Sequence, residues 1–575
     1  MTKTLNTNIL FEPITINTNR YKEVSNTLLN NKTYLANDFK KFDYNNKNIW
    51  NNLPSTYNLY LHCLYDIHYL NILYDNSSNE KYLRQAKEIL ESWLKYDKSK
   101  ISQKNQFIWS DHAVSKRTLS VLHFLLRNNK KHQKIYEGIF INQLEDLLAK
   151  QGKWLSKKAN YSEGNHGLMI DTALLALGFY KQNNSWIKLA TQRINNRAKQ
   201  DFTNLGTHLE NSPDYHVLVM NHYFKIKDFL DSLDLKNLLD KSTYNLIKQL
   251  PNYLVHIIMP NRYLPRIGDS ENTLITNNYG NKNFQYILSE GLSGEKPISK
   301  SLYDKDAGIF TYRSSWKKDD LKNSLWWAIK SGAKNSVHKQ EDDLSFMIYA
   351  FNNEIFSDAG KYNYDSKSIF RQYAVSPQGH NVVSIKNKNY YVSQNLEHIE
   401  HLKLKKKTAR YIWLSAKNNA YKQTSIFRDF IFLKPNTFII IDRIKSRNKN
   451  LYSQHFLLGP NMEIIDHSTT HFHAVSKDKK IGVQLNQYTD IQNVDFYRAH
   501  NGTGKGYIFE KFENKTPIDY IEFLKENNTT TYLTSIQLNN SYYKNKIEVI
   551  KLKKNILKLL INNENFMFNL ENLTL

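Results

Sequence analysis

The polar run HKQEDD at residues 338–343 contains the side chain best suited to remove a proton, His338. It brings an imidazole, an amide and three carboxylates together within six residues and directly precedes the segment LSFMIYAF. The alternation of that segment, with its β-branched and aromatic residues, predicts a strand. A polar cluster at a strand entrance is a common position for a catalytic group, but a solvated turn has the same composition. The other polar segments of the chain are needed to distinguish a catalytic group from a solvated turn.

A second polar segment, NYSEGNHGL, places Asn165 and His166 directly before an apolar helical pattern. The first turn of a helix carries partial positive charge and free N–H groups, so amide and imidazole donors there suit an anionic group. Helix capping alone would also explain Asn165.

A third segment, THLENSPDYHV, places Glu210 and Tyr215 on either side of a Ser-Pro pair at a helix entrance. Proline and aspartate are ordinary at a helix start, whereas a tyrosine in such a polar turn is less ordinary. A phenol has a pKa of about 10 and can give or take a proton when cations or hydrogen bonds stabilise the phenolate. Tyr215 is therefore a second candidate for acid–base chemistry.

Two more segments offer contacts for a substrate or a metal. NQFIWSDHAVSKR carries Arg117, whose guanidinium suits either a substrate carboxylate or a structural ion pair. FSDAGKYNYDSKSIFRQYAVSPQGH carries Arg371 and Tyr373, a cation and an aromatic ring suited to a polyanionic chain. It also carries Asp358 and His380, which are possible ligands of a divalent metal.

The elements that must position these residues change character along the chain. Apolar residues recur every three or four positions from about residue 55 to 290 and alternate beyond about residue 300. This predicts an N-terminal extension at 1–50, a helical domain at 51–295 and an antiparallel β-sandwich at 296–575. The sequence contains no βαβ pattern and no glycine-rich phosphate loop, which disfavours nucleotide binding.

The charge balance favours an acidic polymer as the partner. The chain has 79 Lys and Arg residues against 54 Asp and Glu residues, a formal net charge of +25. The excess is spread along the sequence, and the one basic run, residues 401–410, is not interleaved with aromatic residues at a stacking spacing. Nucleic acid is therefore not an expected partner. Cys63 is the only cysteine, which excludes an intrachain disulfide framework and disfavours a zinc finger.

Targeting signals are not visible in the sequence. The first twenty residues lack the apolar core and small-residue cleavage site of a signal peptide, and no later stretch approaches membrane-spanning length. As the sequence stands, this predicts a cytoplasmic protein without a membrane span.

The order of the polar segments resembles the heparinase II/III family of polysaccharide lyases. The resemblance covers about residues 50–460 and is carried by GNHGL, HLENSPDYH, PRIGDSE, HKQEDDLSF, FSDAGKYNY and RQYAVSPQGHNVV. It implies an incomplete (α/α) toroid followed by an antiparallel β-sandwich, and cleavage of an acidic polysaccharide by β-elimination. It also implies a periplasmic or secreted location, which differs from the location read from the N-terminus.

The resemblance implies a role for each matching residue. Asn165, with His166 beside it, is expected to neutralise the substrate carboxylate. Tyr215 is expected to act as the acid–base group and His338 as the catalytic histidine. Substrate contacts are expected from four residues: Arg117, Glu210, Arg371 and Tyr373. A structural divalent metal, not required for the chemistry, is expected at Asp358 and His380, with Gln340 as the third ligand.

The sequence departs from the family pattern at two positions. Gln340 stands where many relatives have a second histidine, and an amide oxygen is a weaker zinc ligand than imidazole, which disfavours zinc. Asn211 stands where relatives often have arginine, which leaves the subsite preference of the chain open.

Two alternative functions remain open from the sequence. A glycoside hydrolase would need two opposed carboxylates about 5–10 Å apart, and the candidates are Glu163, Glu210, Asp269 and Asp342. The other alternative is a non-catalytic protein that binds acidic glycans in bacterial surface polysaccharide metabolism.

Overall fold

The structure is a computed structural model that describes residues 5–10, 19–35, 40–51, 53–128, 135–540, 547–553 and 555–573. The chain forms two compact units. The first comprises residues 1–201 and 219–247, and the second comprises residues 202–218 and 248–575.

The first unit is helical, as the apolar spacing predicts. Helix α5 packs against α3, α6 and α7, and α7 packs against α8, so helices that are close in sequence share contacts. Helix α7 is buried on every face from residue 170 to 178 and is mostly apolar there, as expected for a helix surrounded by others. The helices are α1 (Asn19–Leu29), α2 (Ser55–His62), α3 (Tyr65–Ser77), α4 (Lys81–Asp97), α5 (Asp111–Asn128), α6 (Ile139–Ser156), α7 (Gly164–Tyr180), α8 (Asn184–Asp201), α9 (Pro213–Ser232) and α10 (Lys241–Gln249).

The second unit contains four short helices and twenty strands among the described residues. The helices are α11 (Pro251–Ile257), α12 (Lys282–Leu288), α13 (Ile369–Val375) and α14 (Val392–Asn395). The strands are β1 (Ser301–Asp304), β2 (Ile309–Arg313), β3 (Trp326–Lys330), β4 (Ser345–Ala350), β5 (Asn353–Phe356), β6 (Val383–Ile385), β7 (Lys403–Lys407), β8 (Tyr411–Asn418), β9 (Thr424–Leu433), β10 (Thr437–Leu457), β11 (Met462–His467), β12 (His471–Ser476), β13 (Gly482–Gln487), β14 (Asn493–Arg498), β15 (Tyr507–Ile508), β16 (Thr516–Pro517), β17 (Asp519–Asn539), β18 (Ile547–Lys553), β19 (Ile556–Ile561) and β20 (Glu564–Asn569).

Two antiparallel sheets form a sandwich around one hydrophobic core. The smaller sheet has the order β1-β2-β3-β4-β5. The larger has the order β11-β12-β13-β17-β10-β9-β8-β7, with β14 paired to β17 and β6 paired to β10. Trp327 and Phe346 of the smaller sheet share the core with Phe430 and Phe438 of the larger one. The ring centroids of Trp327 and Phe430 lie 5.3 Å apart, so the two sheets are in direct aromatic contact.

The boundary between the units differs from the predicted boundary at residue 295. Residues 248–295 group with the sandwich because helix α11 is anchored on the small sheet. Trp326 Nε1 donates to the carbonyl oxygen of His256 at 3.0 Å, and Arg313 Nη2 donates to that of Ile258 at 2.5 Å. These bonds span 70 and 55 positions, and local sequence patterns do not reveal them.

The segment 202–218 also belongs to the second unit, although it lies between helices of the first. Thr203 Oγ1 donates to Asp304 at 2.6 Å, and the hydroxyls of Ser212 and Ser270 lie 2.7 Å apart. These contacts hold the segment that carries Glu210 and Tyr215 on the unit that also carries His338. No helix among the described residues is both long enough and apolar enough to cross a membrane.

Candidate active site

The rings of Tyr215 and His338 stack on each other. Their centroids are 3.4 Å apart, and their planes differ by 19°. Tyr215 lies in the first turn of α9, which begins at Pro213, and its backbone N–H donates to Ser212 Oγ at 3.3 Å. Two residues that the sequence places 123 positions apart therefore present a phenol and an imidazole side by side, the pair of groups that acid–base chemistry requires.

The backbone around His338 is tightly constrained. His338 and Asn211 both have left-handed conformations, with φ of 53° and 63°. Gly268, with φ of 58°, lies so close that an added Cβ would be 2.5 Å from the Asn211 oxygen and 2.8 Å from the His338 oxygen. The Asp269 N–H donates to the same His338 oxygen at 3.2 Å. Non-glycine residues persist in this region of φ only where surrounding contacts hold them, and such residues concentrate at functional sites.

The Asn211 side chain fixes the loop that leads into His338. Its Nδ2 donates to the carbonyl oxygens of Asn335 at 2.9 Å and Val337 at 3.1 Å. Its Oδ1 accepts from the buried ammonium of Lys330 at 3.0 Å, which sets the orientation of the amide. Asn211 is thus a buried residue with a positioning role.

Asp269 is the central carboxylate of the site. It accepts from Arg371 at 2.6 and 3.1 Å, from Gln340 Nε2 at 2.8 Å and from His338 Nδ1 at 3.2 Å. Burial raises the pKa of Asp269, but the hydrogen bonds from His338 and Arg371 outweigh it and lower the pKa to about 2. Asp269 is therefore ionised, and its acceptor oxygen places the imidazole hydrogen on Nδ1 of His338.

The opposite nitrogen of His338 is the one available for chemistry. Nε2, the nitrogen that does not face Asp269, lies 3.8 Å from Glu210 Oε2. Glu210 is buried beside the ring, so it contacts the candidate base rather than projecting into solvent.

Tyr364 extends the site toward solvent. Its hydroxyl lies 3.0 Å from that of Tyr215, and 52% of the residue is exposed. Burial raises the pKa of Tyr215, the hydrogen bond from Tyr364 lowers it, and the carboxylates of Asp269 and Glu210 raise it, with a net increase. Tyr215 is therefore a neutral phenol in the free protein and is set up to donate a proton.

Asn165 and His166 lie in the first unit, where α7 begins at Gly164. His166 Nδ1 lies 3.0 Å from Asp111 Oδ2, which also accepts from Ser162 Oγ at 2.5 Å. The hydrogen bond from His166, together with that from Ser162, holds the pKa of Asp111 far below its ordinary value despite partial burial. The His166 side chain is 43% exposed, and Asn165 is partly buried beside it.

The structure contradicts two of the predicted substrate contacts. Arg117 is fully buried and donates to the carbonyl oxygens of His62 at 2.8 Å and Ile108 at 2.9 Å, so it stabilises the helical unit. Tyr373 is 3% exposed, packs in an aromatic cluster and donates to the Tyr507 carbonyl oxygen at 3.2 Å. Neither side chain is available to a substrate. Residue type alone did not distinguish a buried arginine or tyrosine from an exposed one.

Arg371, the third predicted substrate contact, lies at the site, but its guanidinium binds a carboxylate of the protein. Its guanidinium makes a bidentate pair with Asp269 and donates to the carbonyl oxygen of Lys361 at 3.1 Å. Arg371 therefore holds the carboxylate that orients His338.

The three predicted metal ligands make hydrogen bonds of their own in the structure. Asp358 Oδ2 lies 2.8 Å from His380 Nδ1, so these two residues bond to each other. Gln340 uses its amide nitrogen to donate to Asp269 and to the Gly360 carbonyl oxygen at 3.2 Å. Over the described part of the chain, no group of three or more His, Cys, Asp or Glu side chains is arranged to hold a metal ion.

Two buried lysines lie beside these residues instead. The Lys339 ammonium contacts the Asp342 carboxylate and lies 3.0 Å from that of Asp343. Lys330 lines a small internal cavity together with Asp342 and Asp358. The region therefore already contains positively charged groups.

Sequence reasoning considered Asp269 only as a hydrolase carboxylate, not as the residue that orients His338, and it missed Lys330. Asp269 lies in PRIGDSE, where an acidic residue follows a glycine between helical and strand patterns. Lys330 is the one charge in the apolar run LWWAIK, and a lone charge at an inward strand position was the available signal.

Two family models match the chain. The model described as Heparinase II/III N-terminus matches residues 2–290, and the one described as Heparinase II/III-like, C-terminal, matches residues 304–536.

Two characterised relatives are both named heparin-sulfate lyase. The protein from Pedobacter heparinus is 23% identical over 494 residues, covering 81% of this chain and 71% of the relative. The protein from Bacteroides stercoris is 24% identical over 325 residues, covering 53% of this chain and 47% of the relative.

Solved structures of low sequence identity share the fold. A heparinase III structure superposes with a TM-score of 0.77 at 15% identity, covering 99% of this chain and 92% of that one. The heparan sulfate lyase of Pedobacter heparinus gives a TM-score of 0.74 at 19% identity, with coverage of 99% and 92%. The predicted fold class, an incomplete (α/α) toroid followed by an antiparallel β-sandwich, is confirmed.

Proposed function

Because the chain belongs to the heparinase II/III family of polysaccharide lyases, we propose that it cleaves a uronic-acid-containing polysaccharide by β-elimination with Tyr215 and His338 as the acid–base pair. The observation that carries this proposal is the stacked pair itself, with His338 oriented by an ionised Asp269.

β-Elimination removes the proton at C5 of a uronate and breaks the bond from C4 to the glycosidic oxygen. The electrons of the C5–H bond form the C4–C5 double bond, and the leaving oxygen takes up a proton. A base and an acid are needed, together with groups that offset the charge developing on the carboxylate during proton removal.

The geometry supports His338 as the base. Its Nδ1 hydrogen is directed at Asp269, so Nε2 holds the lone pair, and the carboxylate stabilises the imidazolium that forms. Tyr215 suits the acid, because its raised pKa keeps the hydroxyl protonated until the leaving oxygen requires the proton. Tyr364, hydrogen-bonded to Tyr215 and half exposed, offers a path for its reprotonation from solvent.

Neutralisation of the substrate carboxylate is assigned to Asn165 and His166. This assignment rests on the chemistry of an amide and a partly exposed imidazole at the start of α7. A fixed donor aimed at developing charge stabilises the transition state by roughly 3–4 kcal/mol, similar to the effect of a positioned acid–base group. Substitution in either pair of residues should therefore lower the activity measurably.

The substrate is an acidic polysaccharide. The net charge of +25 supports a polyanionic partner. Both relatives are named heparin-sulfate lyase, and that name refers to a sulfated glycosaminoglycan. Sulfated glycosaminoglycans are therefore the first class to test, followed by unsulfated uronate polymers.

Two of the four candidate carboxylates, Asp269 and Asp342, are unsuited to hydrolysis. Inverting and retaining glycosidases need one carboxylic acid that is protonated and free to donate. Asp269 is ionised and bound by three side chains, and Asp342 is buried against Lys339. Neither can serve as the acid.

An absorbance assay over a panel of acidic polysaccharides tests the proposal. Lyase products carry a C4–C5 double bond that absorbs in the ultraviolet, so absorbance should grow in step with new reducing ends. The Tyr215→Phe variant should lose both signals. Reducing ends without absorbance would show a hydrolase, and tight binding without either signal would show a binding protein.

A further inference from the structure

The resemblance to metal-containing relatives implies a cation at Gln340, Asp358 and His380, but the side chains of this chain disagree with it. Gln340 supplies a neutral amide oxygen where the resemblance implies an imidazole. Both oxygens of Asp358, the one carboxylate of the set, accept hydrogen bonds, from His380 Nδ1 at 2.8 Å and from the Gly360 N–H at 3.1 Å. A divalent ion would find little negative charge here.

Two atoms of the set would still be open to a cation. Gln340 Oε1 and His380 Nε2 are buried and have no hydrogen-bond partner in the described structure. Gln340 Oε1 is an acceptor, His380 Nε2 is one only when Nδ1 carries the single ring hydrogen, and internal water commonly satisfies buried polar atoms of this kind. These two atoms do not replace the imidazole that the resemblance implies at position 340.

Positive charge is supplied to this region by side chains. The Lys339 side chain is completely buried and pairs with two carboxylates, Asp342 and Asp343, while its ammonium also donates to the Gln340 carbonyl oxygen at 2.9 Å. Lys330 is buried on the other side, donates to Asn211 and shares a cavity with Asp342 and Asp358. Both lysines connect directly to the loop that carries His338.

We propose that Gln340, Asp358 and His380 hold no structural metal, and that the buried ammonium groups of Lys339 and Lys330 supply the fixed positive charge that holds the His338 loop. A divalent ion in the same region would be repelled by two resident cations, and Asp358 would be its one carboxylate ligand, because Asp342 and Asp343 are already paired with Lys339. The proposal concerns the folded chain alone and does not depend on the proposed reaction.

Metal analysis and thermal unfolding without substrate test the proposal. The purified protein, incubated with zinc, calcium or manganese and then desalted, should retain no stoichiometric metal, and EDTA should not shift its melting temperature. Retention of one metal ion per chain, with a lower melting temperature in EDTA, would overturn the proposal.

Restoring the missing ligand gives a second, independent readout. Gln340→His should create a zinc site, seen as bound zinc and a zinc-dependent rise in melting temperature. Adding Lys339→Met should raise the zinc affinity of that variant about tenfold or more, because the nearest repelling charge is gone. Equal zinc affinity with and without Lys339 would contradict the role of this lysine.

Lysine variants test the structural role directly. Lys339→Met leaves two buried carboxylates without their cation and should lower the melting temperature by roughly 5 °C or more. Lys334→Met is the matched control, because Lys334 lies in the same loop with a side chain that is 49% exposed and an ammonium 3.8 Å from Asp306. The control should melt like the wild type, and an equal shift in both variants would contradict the proposal.

Discussion

The ring of Tyr215 lies almost parallel to the imidazole of His338, with 3.4 Å between the two centroids. One residue lies at the first turn of a helix and the other in a loop whose backbone is held in the left-handed region. The contact exists because residues 202–218 are fastened to the sandwich unit by side-chain hydrogen bonds. The acid–base pair is thus built within one compact unit.

Replacing Tyr215 by Phe should abolish most of the activity and leave the fold intact. The substitution removes the hydroxyl that donates the proton but keeps the ring that stacks on His338. We expect a loss of roughly 10²–10⁴-fold in kcat, with a melting temperature close to that of the wild type. The absorbance assay and thermal unfolding measure the two quantities. Wild-type turnover by this variant on a verified substrate would rule out Tyr215 as the acid.

Asp269 should make the stability of the protein depend on acid pH. Its pKa is lowered from 3.8 to about 2 in the folded protein, because bonds from His338 and Arg371 outweigh burial. Because the pKa of this carboxyl group is lower in the folded than in the unfolded protein, its ionised form stabilises the fold at pH values above the unfolded pKa. That contribution is lost as the pH falls from about 4 toward 2. The contribution is roughly 2 kcal/mol.

Denaturant unfolding of the wild type and of Asp269→Asn measures this contribution. The difference in unfolding free energy between them should be constant above pH 5 and shrink steadily below about pH 4. A difference that does not change with pH would show that the carboxylate is not ionised by its partners.

The sequence predicts which residue types act at the site better than it predicts the hydrogen bonds between them. Tyr215 and His338 can be identified because their types, their polar surroundings and their order along the chain point to acid–base work. The bonds of Asp269 to His338 and Arg371 cross 69 and 102 positions, and no local pattern encodes them.

Burial explains most of the differences between expectation and structure. Arg117 and Tyr373 have the side chains of substrate contacts, but both are used internally, because a buried donor must find an acceptor. The helical and strand periods correctly predict two kinds of structure. They do not reveal the long-range bonds that tie helix α11 to the small sheet.

Asn211 and Lys330 should act as one unit in positioning His338. Without the amide, two loop carbonyls lose their donor, and without the lysine the amide loses the contact that orients it. We expect Asn211→Ala and Lys330→Met each to lower kcat/KM, by up to roughly 10²-fold for a displacement of about 1 Å.

A double-mutant cycle tests this coupling. The double variant should lose much less than the product of the single effects, with a coupling energy of about 0.5–3 kcal/mol. Multiplicative effects of the two substitutions would show that the residues act independently.

Two tyrosines of the same segment should differ in the effect of losing the hydroxyl: at Tyr364 it should lower kcat, and at Tyr373 it should lower stability. Tyr364→Phe removes the hydrogen bond to Tyr215 at a half-exposed position, so it should lower kcat with little change in melting temperature. Tyr373→Phe removes a buried bond to the Tyr507 carbonyl oxygen, so it should destabilise the protein by about 1 kcal/mol and leave KM unchanged. Steady-state kinetics and denaturant unfolding of the matched pair distinguish the two roles. A clear rise in KM for Tyr373→Phe would restore this residue as a substrate contact.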